Sequence, residues 1–529
     1  MAAIYEEDLF KYTSGRWLID EAHQFQQRYV KFNIDTLCQQ AISLFKNAEK
    51  CTRVIKIEGN SNKAFLLALD DGREVVAKIP CPNAGILSLT TVSEVATLEF
   101  LRSNTSIRVP EVFSWSSDPT NPVGAEYIIM EKISGVPLAE RWDKMNTLQQ
   151  YKVIDGLIEM EEELARLTFP AYGSLFLKDS LPTGYQSYAL ASEVDPAGSF
   201  CVGPSCDRSL WDESNSDEPT TADIGPWQSL SEFAQSSPAR ELSRIADQKD
   251  AVQRHLNRFS ASQSTNQYSN LLHNLQAALT TLSKDQRILD VAQPVLWHSD
   301  LHLGNIFVSI DDPTIIEGII DWQSASISPL FLQAQFPEFV RPPKGYTPGA
   351  AVPALPDNFD QLTPEQKEKA SREKELASRS KYYEMFCLVH NKSVYNALEL
   401  DRRLWELFTC SALSDRGSLV PLQDALACVS RDWETIGLPG SCPFGFTEDV
   451  LSMHKEDVAK YQDMVSLWGI VKEQLGTDST GWVSHERWEV TNEINQELFD
   501  MYVETMSEEI SPNAAAKMWP FPPRAQRGD

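Results

Sequence analysis

Between residues 53 and 80 apolar and polar positions alternate with a period of two, in RVIKIEGNSNKAFLLALDDGREVVAKIP. That period puts every second side chain of an extended strand on one face. It predicts three antiparallel strands, over 54–57, 64–69 and 74–79. Asp70-Asp71-Gly72-Arg73 reads as a DG-type hairpin turn between the second and third. The link between the first two, 58–63, is a short polar loop with one glycine, Gly59, and the small residues Ser61 and Asn62. The period then lengthens to that of a helix. Thr91-Val92-Ser93-Glu94 has the form of a capping box and predicts a helix running to Arg102. A short apolar run at 127–130 predicts a buried strand. Apolar stripes at 3.6-residue spacing predict helices at 34–48, 151–168 and 263–282, and a charge-laced helix at 364–386.

This pattern predicts an α+β protein with two lobes. A small β-rich lobe spans 51–133 and a large, mainly helical lobe 134–510, with an N-terminal extension at 1–50. Residues 180–238 are rich in Ser, Pro and Asp and predict a loop-heavy insertion. Trp211 and Trp227 within it would either line a substrate site or pin the loop down. Residues 342–356 form a proline-rich connector, and 511–529 are expected to form a flexible, frayed tail.

The chemistry concentrates in VLWHSDLHLGNIF, followed by GIIDWQ. Asp300 and Asn305 have the aspartate-to-asparagine spacing of a kinase catalytic loop, and an apolar run then delivers a second aspartate, Asp321. Aspartate and asparagine also cap ordinary β-turns. Two features favour chemistry. Apolar strand-forming residues flank the loop on both sides, and a carboxylate ending a buried strand is costly unless paired or metal-bound. Upstream, Lys78 ends VVAK, the pattern of the lysine that meets nucleotide phosphates, although a lysine on a solvated edge looks the same. Glu94 is its expected helical partner, with Glu99 as the rival. The 58–63 loop, with Ser61 and Asn62, could cover phosphates, and Met130-Glu131 would begin the hinge between the lobes.

With these residues in place, the chain resembles the aminoglycoside phosphotransferase/choline kinase superfamily, the small-molecule branch of the protein-kinase-like fold. The resemblance rests on Lys78, Glu94, Met130-Glu131, the HSDLHLGN block and IIDW. More narrowly it is similar to fungal phosphotransferase-family proteins related to altered inheritance of mitochondria protein 9, through segments such as FCVGPSCDRSLWDE and SPLFLQAQFPEFV. The resemblance implies that Asp300 is the catalytic base, that Asn305 and Asp321 hold Mg²⁺, that Lys78 holds ATP phosphates, and that Glu94 orients Lys78. His298 would brace the loop. Ser61, Asn62, Met130 and Glu131 would contribute to the nucleotide site, and helices after Asp321 would shape the acceptor site. The implied reaction transfers the γ-phosphate of ATP to a hydroxyl of a small molecule. The alternatives are a non-catalytic protein of this fold involved in mitochondrial maintenance and an atypical protein kinase. The latter is disfavoured because no activation segment follows Asp321.

Composition narrows the partners. A net charge of −28 disfavours nucleic acid and anionic membranes and is compatible with a cationic acceptor. No apolar run approaches the ~18 residues of a membrane-spanning helix. The acidic start MAAIYEEDLF is unlike a secretory signal or a mitochondrial presequence, so a cytoplasmic location is expected, with mitochondria as the alternative suggested by the resemblance. Nine scattered cysteines without a CxxC pair predict reduced thiols rather than a zinc site. The oligomeric state is left open.

Overall fold

Alternation in the first lobe resolves into one five-stranded antiparallel sheet. Across the sheet the strands lie in the order Cys51–Glu58, Asn62–Leu69, Glu74–Pro80, Tyr127–Glu131, Val112–Ser116. The structure, a computed structural model, describes residues 6–210, 223–260, 262–412 and 417–523. Gly72 takes φ +88° in the predicted hairpin turn, a conformation that costs a glycine little. Phe65, Leu67, Val75, Ala77, Ile79 and Ile129 are buried in one cluster with Leu37 and Ala41. Leu37 and Ala41 belong to the helix Ile34–Ser43, whose N-cap Asn33 accepts from the Thr36 amide. The N-terminal extension is therefore a second layer of the small lobe. It is not an appendage.

The other layer is the helix Leu89–Asn104, in which 12 of 16 residues are buried. Here the structure corrects the expected capping box. The helix starts at Leu89, before Thr91, and Ser88 makes no side-chain cap. Glu126 does the work from the neighbouring chain: its carboxylate accepts the Ser88 amide at 2.9 Å and the Thr91 hydroxyl at 2.5 Å. Glu94 is thereby left free of capping and points into the interior.

The large lobe is mainly helical, with helices Thr147–Arg166 and Thr265–Leu282 where the 3.6 period predicted them. The charge-laced helix also forms, as Pro364–His390, behind a true capping box at Thr363 and Gln366. Two small antiparallel sheets support the segment that carries His298, Asp300, Asn305 and Asp321. Pro294–Trp297 pairs with Ser326–Pro329, while Ile306–Val308 pairs with Ile316–Ile319 on one side and Val136–Pro137 on the other. Gly135 leads into the last of these strands with φ +92°, and a Cβ there would lie 2.2 Å from the Val308 carbonyl oxygen.

Two expectations need correction. Residues 180–238 are less irregular than predicted. Ser174–Leu177, Phe200–Gly203 and Tyr188–Ala189 make a three-stranded sheet. Phe176, Cys201 and Cys206 pack from it onto Leu89 and Val92 of the Glu94 helix. Trp227 is buried, with its indole N–H on Asp223 at 3.0 Å, so it pins the loop; Trp211 lies outside the described residues. The frayed tail is likewise overturned up to residue 523. Pro512–Met518 is a helix, and Trp519 and Phe521 are buried with Leu18, Val471, Leu475 and Trp488. A strand near the N-terminus also meets one in the C-terminal part: Gly15–Trp17 pairs antiparallel with Trp482–Ser484.

Candidate active site

Lys78 lies on a central strand of the sheet, in register with Ala64 on one side and Ile128 on the other. Its Nζ lies 2.7 and 2.9 Å from the two Glu94 carboxylate oxygens and 2.6 Å from Asp321 Oδ1. The rival Glu99 takes no part. Burial works against a charge on Lys78, but Asp321 and Glu94 outweigh it and raise its pKa above the ordinary lysine value. Burial raises the Glu94 pKa, against the pull of Lys78. Asp321 is partly desolvated too, yet Lys78 holds it below the usual aspartate value. The consistent state is a charged Lys78 facing an ionised Asp321.

Asp321 sits at φ +62° and Ser324 at φ +59°. Left-handed backbone is unusual for residues other than glycine and costs of the order of 1 kcal/mol or more each. The surroundings enforce it. The Ile320 amide donates to the Asn305 carbonyl at 3.0 Å, and Trp322, fully buried, donates its indole N–H to the Ile319 carbonyl at 3.2 Å. The strained turn aims the Asp321 carboxylate across the cleft at Lys78.

The catalytic loop is tied to the same turn. His298 Nδ1 accepts the Asp300 amide at 3.1 Å, so Nε2 carries the proton and donates it to the Ile320 carbonyl at 2.9 Å. Both ring nitrogens are committed, the ring packs edge-on against Trp322, and burial lowers its pKa. His298 is thus a neutral brace. Asn305 donates its side-chain N–H to the Asp300 carbonyl at 2.9 Å, which fixes the orientation of the amide. The Asp300 side chain is 73% exposed, with His302 Nε2 at 3.9 Å, so its carboxylate is open to solvent.

Asn62 and Ser61 are both buried at the tip of the first hairpin. Asn62 faces Gln323 in a reciprocal amide pair: Asn62 Nδ2 donates to Gln323 Oε1 at 2.7 Å, and Gln323 Nε2 donates to Asn62 Oδ1 at 3.1 Å. Ser61 offers its carbonyl to the Cys81 amide at 3.0 Å. Met130 lies in register with Val76 and Val112, and the Glu131 carboxylate is turned toward Arg102 and Arg108, at 3.7 and 3.9 Å. Sequence reasoning missed Gln323, although it directly follows the DW pair, and it missed Arg208, whose Nη2 donates to Gln323 Oε1 at 3.1 Å. No local pattern marks that arginine.

A small antiparallel sheet with a buried Lys–Glu pair, above a helical lobe carrying a catalytic-type loop and a metal-type aspartate, defines a kinase-like phosphotransferase fold. The comparisons agree. Residues 53–332 match the phosphotransferase enzyme family, and the chain belongs to that family. It is 30% identical over 484 residues to a subtelomeric hrmA-associated cluster protein of Aspergillus fumigatus, covering 85% of this chain and 92% of that one. It is 24% identical to altered inheritance of mitochondria protein 9, mitochondrial, of Candida tropicalis, covering 86% of this chain and 82% of the relative. Among solved structures it is similar to a streptomycin–ATP ternary complex of an aminoglycoside phosphotransferase, at 12% identity and a TM-score of 0.37, covering 75% of this chain and 97% of that one. At that score the likeness adds nothing to the fold, which rests on the strand order and the family match.

Proposed function

We propose that the protein is a Mg·ATP-dependent kinase that transfers the γ-phosphate to a hydroxyl of a small molecule. The observation that carries the reading is the convergence, from two distant parts of the chain, of Lys78 with Glu94 and Asp321, beside an exposed Asp300 and an Asn305 whose amide nitrogen is fixed. Phosphoryl transfer asks a protein mainly for positioning and charge neutralisation. Asn305 and Asp321 would hold the metal. Among the described residues no three His, Cys, Asp or Glu side chains gather as a metal cluster. Mg²⁺ is ordinarily held by one or two protein groups completed by phosphates and water. When bound, the ion supplies positive charge to the phosphate oxygens. Lys78, held by Glu94, would meet the α- and β-phosphates. Asp300 takes the acceptor hydroxyl's proton as its oxygen bonds to the γ-phosphorus and the bond to ADP breaks.

Thermal shift with ATP, with and without Mg²⁺, is the direct test. A bound native state is stabilised by about 2.7 kcal/mol at ~100 times Kd. The rise should require Mg²⁺ and vanish in Asp321→Ala. Asp300→Asn should keep the rise and lose transfer in a screen of alcohol acceptors, with cationic ones first. No rise at millimolar ATP would favour a non-catalytic kinase-fold protein, and label appearing on protein substrates would favour a protein kinase. Among the described residues no helix is long and apolar enough to cross a membrane. Cell fractionation would separate a cytoplasmic from a mitochondrial location.

A further inference from the structure

Building on the kinase reading, we propose that Arg208, delivered by the insertion, is a further nucleotide-contacting residue that binds the γ-phosphate of ATP. Three observations converge on it. The first is placement. Arg208 follows the strand Phe200–Gly203, whose sheet packs on the Glu94 helix, and the segment between is held by the Cys206 amide on Ser174 Oγ at 3.0 Å. That anchorage sends the arginine over the cleft. Its guanidinium meets Gln323 Oε1, the atom that also takes the Asn62 N–H, so it stands where the first hairpin, the Asp321 turn and the catalytic loop come together. Ser299, next to Asp300, donates to the Gln323 carbonyl at 3.3 Å from the other side.

The second is charge. The cleft carries the carboxylates of Glu94, Asp321 and Asp300, and Lys78 is already shared between the first two. A nucleoside triphosphate adds several more negative charges. The Arg208 guanidinium, like Lys78, acts on both Asp321 and Glu94 and favours their charged forms. The third is donor capacity. A guanidinium has five N–H donors in a planar fork that suits phosphate oxygens. Among the described residues Arg208 makes no ion pair and one hydrogen bond, to Gln323, and the residue is exposed, so its remaining donors are available. A guanidinium on the γ-phosphate would also stabilise the charge that spreads over the phosphoryl group during transfer.

The alternative is that Arg208 merely steadies Gln323. Titration calorimetry of the full chain with Mg·ADP and with a non-hydrolysable Mg·ATP analogue separates the two. Arg208→Ala should weaken the triphosphate analogue about tenfold or more and leave ADP unchanged within about twofold. Arg208→Lys should fall between. Gln323→Ala, which breaks the amide pair without removing the guanidinium, should weaken both ligands together. Equal losses for both nucleotides in Arg208→Ala, or no loss for either, would overturn the assignment while leaving the kinase reading intact. A wild-type protein that binds neither nucleotide would remove both. Retained ADP affinity also shows that the variant is folded.

Discussion

Lys78 keeps its charge in a buried position because two carboxylates face it, and each of those depends on the lysine in turn. Removing one partner of a buried ionic cluster leaves uncompensated charge, at a typical cost of about 3–5 kcal/mol. Lys78→Met should lower the free energy of unfolding by that order in a denaturant titration, and adding Glu94→Gln should restore part of it. Glu161 makes the opposite case. It is fully buried with one hydrogen bond, from Tyr383 at 2.7 Å, and burial lifts its pKa to about 8. Unfolded, the group titrates near 4.5. Between those values the native state keeps a proton that the unfolded state has released. The stability linked to Glu161 is therefore complete below about pH 4.5 and is lost as pH rises towards 8. Glu161→Gln, which keeps an acceptor for Tyr383 and removes the titration, should match the wild type near pH 4.5. By pH 8 it should exceed it in Tm by roughly 2–5 °C. Thermal scans across that range are the check.

Single elements show where local signals hold and where tertiary context overrides them. The period-two pattern is kept most closely in Asn62–Leu69, where Phe65, Leu67 and Leu69 are buried, whereas Ile55 and Ile57 of the edge strand are exposed and Tyr127–Met130 is buried on both faces. The Glu94 helix misleads because it is buried nearly all round, so its apolar stripe is blurred and its start is fixed by Glu126 rather than by its own residues. The C-terminal segment misleads for another reason. Its Pro- and Arg-rich composition looks like a tail, but Trp519 and Phe521 are large apolar groups with a receiving surface on Leu18, Val471 and Trp488. Phe521→Ala should lower stability by about 3–5 kcal/mol. It should also open a protease-sensitive site near residue 510, read by limited digestion, whereas a frayed tail would show neither effect.

At the scale of the whole molecule, the two lobes are coupled across the cleft by the Lys78–Asp321 contact and by the amide pair of Asn62 and Gln323. A reciprocal buried amide pair is expensive to half-break, because the remaining amide is desolvated without a partner. A double-mutant cycle of Asn62→Ala and Gln323→Ala should therefore show a coupling of about 1–2 kcal/mol in denaturant unfolding. Additive losses would mean that the two side chains do not hold the lobes together. A further strand pair adds a second tie. The pairing of Gly15–Trp17 with Trp482–Ser484 brings the N-terminal layer of the small lobe against the C-terminal helices.

By itself the sequence determined the two-lobe α+β class, the Lys78–Glu94 pairing and the placement of Asp300, Asn305 and Asp321. Each of these depends on a short-range record: period-two burial, a 3.6-residue stripe, or a fixed spacing within one loop. Only the tertiary structure decided that residues 6–50 and 511–523 are packed layers, that the Asn62 amide is engaged by Gln323, and that Arg208 meets Gln323. Those facts depend on contacts between residues far apart along the chain. No local periodicity encodes such contacts, because what selects them is the surface that another part of the fold happens to present.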